Sequence, residues 1–156
     1  MFLIHCHHVY VCCIWYNSLN KVLKNKLQTT QNKLIRFVLD LESRAHISKE
    51  HFKLLNWWPV NSRLDHLTLC HVFKIKNGLS PKYMREHFIP QYGFHTYTTR
   101  HSSKGAFVIS KVRSQGLKSF CYNGCSLCNS LSRTYSELSN LSQFKVALKQ
   151  HLLSSF

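Results

Sequence analysis

Three cysteines carry the sharpest metal-ligand spacing in the chain: Cys121, Cys125 and Cys128. Structural zinc takes four Cys or His ligands, usually as two CxxC or CxxH pairs. Cys125 and Cys128 form one such pair, and no second pair matches it. The nearest histidines are His101 upstream and His151 downstream. On a helix the same spacings of four and three bring all three sulfurs to one face, as a buried core stripe also requires. Core thiols are the plainer reading, and a small zinc-binding interaction module is the alternative. His5, Cys6, His7 and His8 form a second dense cluster. Strand alternation would put His5 and His7 on one face, but two ligands do not close a site, and local enrichment without a site explains them as well. No local signature of a Cys–His nucleophile accompanies either cluster. No metal ligand and no catalytic residue is assigned from these groups.

The carboxylates limit the chemistry further. The only acids are Asp40, Glu42, Glu50, Asp65, Glu86 and Glu137. Two-metal phosphoryl transfer needs carboxylates that converge on the ions, and no DxD, DD or ExxH string is present. With five glycines, the chain has no GxGxxG or GxxxxGK loop to cradle a phosphate. The expectation is a protein that is not itself an enzyme, with no cofactor and no small-molecule substrate.

The basic residues are the stronger signal. Lys and Arg number 21 against 6 acids, a net charge of +15. An excess of that size points to a polyanionic partner, nucleic acid before an anionic membrane surface. Lys24, Lys26, Lys33 and Arg36 fall on one expected helix, and Lys74 and Lys76 close a second. Lys111, Arg113 and Lys118 bracket a short extended segment, with Lys104 before it. Aromatic residues are interleaved at Tyr92, Phe94, Tyr97 and Phe107. Lys and Arg supply sequence-independent phosphate contacts, and aromatic rings stack on unpaired bases. The partner expected is RNA or DNA, bound weakly and without sequence preference. A solvated basic face without a ligand is the bland alternative.

Seven cysteines, an odd number with Cys12 and Cys13 adjacent, do not form the even framework of a secreted mini-protein. They read as thiols in a reducing compartment, so an intracellular site, nuclear or cytoplasmic, is expected. The opening run MFLIHCHHVYVCCIWY has no basic leader and no small-residue cleavage site. It is shorter than the ~20 unbroken apolar residues of a membrane span and is interrupted by histidines. A peripheral membrane role for it is the lesser alternative. Residues 1–16 read as an apolar lead-in element whose preceding partner is missing, and residues 17–156 as one mostly helical region.

The elements that must position the basic residues follow from periodicity. Leu23, Leu27, Leu34 and Val38 recur at spacings of four and seven, with Asn17 and Ser18 as candidate N-caps, and predict a helix to about Leu39. Lys21, Lys26, Asn32, Lys33 and Arg36 then fall opposite the leucines, within roughly 140° on the wheel. Asp40 follows Arg36 by four residues. Ser48 can cap a short helix to Leu55, and Pro59 turns the chain after Trp57 and Trp58. A second long helix is expected over 62–77, ended by Gly78. Ser80-Pro81 opens a short helix, with Ser as the cap and Pro at the first helical position. Residues 90–104 read as a loop and 106–112 as a weak extended segment. Helices over 119–130 and from about Ser142 complete a mainly α fold: an irregular helical bundle with one short extended segment near residues 106–113.

Several strings, taken in order, resemble the C-terminal part of non-LTR (LINE-type, jockey-like) retrotransposon reverse transcriptases. YVCCIWYNS is similar to that family's Tyr-Cys-x-x-x-Trp-Gly segment, with Tyr16 in place of the Gly. NKLQTTQNKLIRFVLDL resembles its thumb helix, with the Leu-Gln-x-x-Gln-Asn-x-x-x-Arg pattern. LLNWWPVNSRLDHLTLCHVFKIKNGLSPKYM resembles its Leu-x-Trp-x-Pro-Val … Val-Phe-Lys-x-x-x-Gly-x-x-Pro-x-Tyr stretch. FVISKVRSQGLKSFCYNGCSLCNSLS and LSQFKVALKQHLL resemble its closing segments. The likeness runs from about Tyr10 to Leu153. The family is an RNA-directed DNA polymerase whose palm carries paired aspartates, and nothing here matches them. The resemblance therefore implies the thumb's grip on a template–primer duplex, at Lys26, Lys33 and Arg36, and no polymerase activity. The family's Trp-Asn-Ser-Leu-Pro stands here as Cys128-Asn129-Ser130-Leu131-Ser132, which implies an underfilled site at Cys128.

Overall fold

The computed structural model describes residues 12–91, 106–109, 111, 116, 119–136 and 138–154. The fold is mainly α. Within the described residues its extended structure is one antiparallel bridge, Pro90 to Phe107, at the place where a short extended segment was expected. By its internal contacts the chain divides into two compact units, one ending at Leu64 and the other beginning at Asp65.

The first unit holds α1 (Cys12–Trp15), a 3-10 turn (Tyr16–Ser18), α2 (Lys21–Val38), α3 (Lys49–Leu54) and the opening of α4 (Val60–Lys76). α2 starts later than its candidate caps. Asn17 and Ser18 belong to the 3-10 turn, and Asn20 is the N-cap, its Oδ1 accepting from the Leu23 N–H at 2.9 Å. Its buried face is also turned from the leucine stripe. Ile35 is fully buried and Gln31 is 8% exposed, whereas Leu23 is 42% exposed. Gln31 is buried because its amide is used: Nε2 donates to the Trp58 carbonyl at 2.7 Å, and Oε1 accepts from Gln28 Nε2 at 3.0 Å. Gln28 Oε1 in turn accepts from the Val60 N–H at 3.2 Å. The two glutamines thus satisfy polar groups where the chain turns at Pro59 and α4 begins, which a buried leucine could not do. Tyr16 and Leu64 are buried with Leu19, Leu27 and Val60 packed against them, and the Tyr16 hydroxyl donates to Asn61 Oδ1.

The second unit contains the rest of α4, α5 (Lys82–Arg85), α6 (Phe120–Ser130), α7 (Arg133–Ser136) and α8 (Leu141–Ser154). α4 is apolar on two sides. Leu69, Cys70 and Phe73 pack with Phe144 and Leu148, the Phe73 and Phe144 rings stacking at 4.4 Å. Val72 and Ile75 pack with Phe88, Phe107 and Cys125. A helix apolar around so much of its circumference is a central helix. α6 approaches it at Gly124, where a Cβ would lie 2.8 Å from Val72 Cγ2. Ser119 caps α6, accepting from the Tyr122 N–H at 3.2 Å. At α5 the cap is Pro81, one residue later than expected. The Ser80 hydroxyl is buried without a hydrogen-bond partner among the described residues.

Three helices stop in the same way. Asp40, Asn56 and Gly78 follow α2, α3 and α4 with φ of 52°, 51° and 74°. The next residue donates back across each turn: Leu41 to Arg36, Trp57 to Phe52 and Leu79 to Lys74, at 2.8–2.9 Å. This six-to-one bond satisfies a carbonyl that the helix end leaves open. Gly, Asn and Asp are the residues that enter left-handed backbone at least cost.

Candidate nucleic-acid interface

The basic residues singled out in the sequence are held by different elements in the two units. α2 carries Lys24, Lys26, Lys33 and Arg36 and contains no acid in its 18 residues. Lys26 and Lys33 are exposed, on the side of α2 away from Ile35. Lys24 is half-buried on the other side, its Nζ 4.9 Å from the centre of the Tyr16 ring. Arg36 is also half-buried, and its Nε donates to the Ala45 carbonyl at 2.9 Å, pinning the loop that follows α2. Lys24 and Arg36 thus each make a contact within the fold, and the exposed pair of the four is Lys26 and Lys33.

In the second unit Lys74 is half-buried and Lys76 exposed, both in the last turn of α4. Cations there face the partial negative charge of the helix C-terminus, which gives them a structural reason to exist. Arg85 adds to it by donating from Nη2 to the Gly78 carbonyl at 3.2 Å. His71, edge-on to Phe120 at 6.3 Å, has its pKa lowered, first by desolvation and then by Lys74. It is therefore largely neutral at pH 7 and adds little to that charge. Lys111 is exposed. Arg113 and Lys118 lie outside the described residues, as do Lys104, Tyr92, Phe94 and Tyr97. Phe107, expected among the base-stacking aromatics, is a core residue packed edge-on to Phe88 at 5.6 Å and cannot stack on a base.

Sequence periodicity missed one aromatic. Phe37 is 85% exposed, four residues after Lys33 on the same outward face of α2. The signal was available: positions 26, 30, 33 and 37 follow the three-four helical repeat.

The cysteine cluster sits in the second unit's core. Cys125 is buried with Val72, Ile75, Phe88 and Phe107, and Cys121 and Cys128 pack against that group. Burial pushes the Cys125 thiol up to about 12, with the neighbouring Cys121 and Cys128 adding to the effect. Cys121 and Cys128 are also raised, each mainly by desolvation, and the Lys76 charge opposes the rise at Cys128. Among the described residues no group of three or more His, Cys, Asp or Glu side chains is placed to hold a metal ion. His5, Cys6, His7 and His8 lie outside the described residues. Cys128 also lines a partly open apolar pocket of about 20 Å³, with Leu69, Val72, Phe73, Leu131, Tyr135 and Phe144 among its walls. No described helix is long and apolar enough to cross a membrane.

Comparison of the chain with protein-family models, curated proteins and solved structures returned no match.

Proposed function

We propose that this chain is a catalytically incomplete relative of the thumb and post-thumb region of a non-LTR retrotransposon reverse transcriptase. Its function on this reading is to hold nucleic acid through a basic helical face, weakly and without sequence preference. The observation that carries it is the outward face of α2, where Lys26 and Lys33 stand exposed on a helix without a carboxylate. Two ammonium groups seven residues apart are about 10 Å apart along the axis, a spacing suited to separate phosphates of one backbone. The order of the resembling strings supports the same reading. The pattern Leu27-Gln28-x-x-Gln31-Asn32-x-x-x-Arg36 belongs to the helix that presents this face, and its Gln28, Gln31 and Arg36 are the residues that seat that helix.

The experiment is a paired assay on the full chain with an RNA–DNA template–primer. Retention of the hybrid at low salt, with no nucleotide added to the primer in Mg²⁺ or Mn²⁺, is expected. The lack of extension follows from six acids that form no metal-binding pair in sequence. Absence of binding at low salt contradicts the reading, and so does template-directed extension by protein free of host polymerases.

A further inference from the structure

We propose that Phe37 is a base-stacking residue, and that the exposed face of α2 takes single-stranded nucleic acid in preference to duplex. This rests on the basic-face reading above and narrows its ligand. The first unit buries Tyr16, Ile35, Phe52 and Trp58, yet leaves Phe37 85% exposed. A ring that open, at the far end of a charged stripe, is available to a partner.

The stripe is Lys26, Thr30, Lys33 and Phe37, all exposed and spaced four, three and four residues apart. Such spacing keeps them on one side of the helix. The ring lies one turn beyond Lys33, about 6 Å along the axis, and about 16 Å from Lys26. The Thr30 hydroxyl donates to the Lys26 carbonyl at 2.9 Å, so the middle of the stripe offers no competing polar head group. α2 carries Lys21, Lys24, Lys26, Lys33 and Arg36 and no acid, and Asp40 lies past its end in the capping turn. An apolar protein surface laid on Phe37 would meet that positive charge uncompensated. A single strand brings phosphates for the ammonium groups and an unpaired base for the ring. In duplex the base faces are covered by their neighbours, and the ring has nothing to stack on.

The test titrates the full chain with fluorescent oligo-dT, oligo-U and a blunt-ended two-strand duplex, at one fixed low salt. Phe37→Ala is expected to weaken the single strands by roughly 10-fold, the effect of one lost base–aromatic stack. Duplex affinity and the salt dependence stay unchanged, because no phosphate contact is lost. Phe37→Tyr keeps single-strand affinity. Loss on oligo-dT alone, oligo-U alone or both assigns the strand as DNA, RNA or either, and each supports the proposal. Equal loss on duplex and single strands, or no loss with Phe37→Ala while the wild type binds, overturns the stacking role and leaves the basic-face reading standing. No binding by the wild type overturns both. A thermal melt of Phe37→Ala checks that the fold is kept, as the ring's exposure predicts.

Discussion

The side chain of Asn129 pairs with both backbone polar groups of Phe107. Its Oδ1 accepts from the Phe107 N–H at 2.8 Å, and its Nδ2 donates to the Phe107 carbonyl at 2.9 Å. The amide thus acts as a strand neighbour for a segment with little sheet of its own. The flanking residues are tied separately, Gln91 N–H to the Ala106 carbonyl and Val108 N–H to the Ile89 carbonyl, both at 2.8 Å. Asn129→Ala leaves both Phe107 groups without that partner and is expected to cost about 2 kcal/mol. Asn129→Asp keeps the acceptor but loses the donor to the carbonyl, and is expected to destabilise too. Urea midpoints of the two variants measure this. Wild-type stability in Asn129→Ala would mean that the bridge and the packing of Phe107 suffice.

Gly124 is required for a close approach. Its missing Cβ would meet Val72, a side chain with no exposed surface and little room to yield. Gly124→Ala should gain about 1 kcal/mol of helix propensity and lose more by overpacking, for a net loss of about 1–2 kcal/mol. In a Val72→Ala background the same change should cost less, and a double-mutant cycle measures that coupling.

Cys128 lines a partly open apolar pocket in the second unit. Cys128→Met, whose flexible chain adapts to an irregular gap, should gain up to about 0.8 kcal/mol for each methylene it covers. Cys128→Trp adds far more volume than the ~20 Å³ there. A loss of about 1–3 kcal/mol from overpacking is expected. Chemical denaturation of the two variants separates the cases.

The raised Cys125 thiol makes a pH prediction. Its folded pKa, about 12, lies above the ordinary value of 9.0. The folded state then binds the proton more tightly than the unfolded chain does. The stability this contributes is complete below pH 9 and is lost as pH rises towards 12. Cys125→Ala should flatten the alkaline decline relative to wild type, whatever its effect at neutral pH. Thermal melts across that window, under reducing conditions, show whether it does.

The helices over 21–38, 60–76, 120–130 and 141–154 are legible from apolar spacing and turn residues, and Gly78 ends α4 as its type and place suggest. The orientation of α2 is not, because periodicity assumes that only apolar residues are buried. Gln31 is buried through the hydrogen bond it gives Trp58, and that rotation carries Lys24 inward and Leu23 outward. Arg36 reads as a phosphate ligand from its charge, whereas the Ala45 carbonyl it holds is close only in the fold. The division at Leu64 falls inside a continuous helix, where composition does not change. The spacing of Phe37 places it on one face with Lys26 and Lys33, and the tertiary fold decides that this face is open.

The central claim is that Lys26 and Lys33 contact nucleic-acid phosphates. The most direct measurement is the salt dependence of binding to a duplex by Lys26→Ala/Lys33→Ala, set against Lys82→Ala/Lys145→Ala. Both pairs are exposed and remove the same charge. Each phosphate contact releases condensed counterion, contributing about 0.9 to the slope of log K against log salt on B-DNA. The α2 pair is expected to lower that slope by about two units and to weaken all sequences alike, with the control pair near wild type. Equal losses in the two pairs would contradict the account, since net charge alone would then explain the binding.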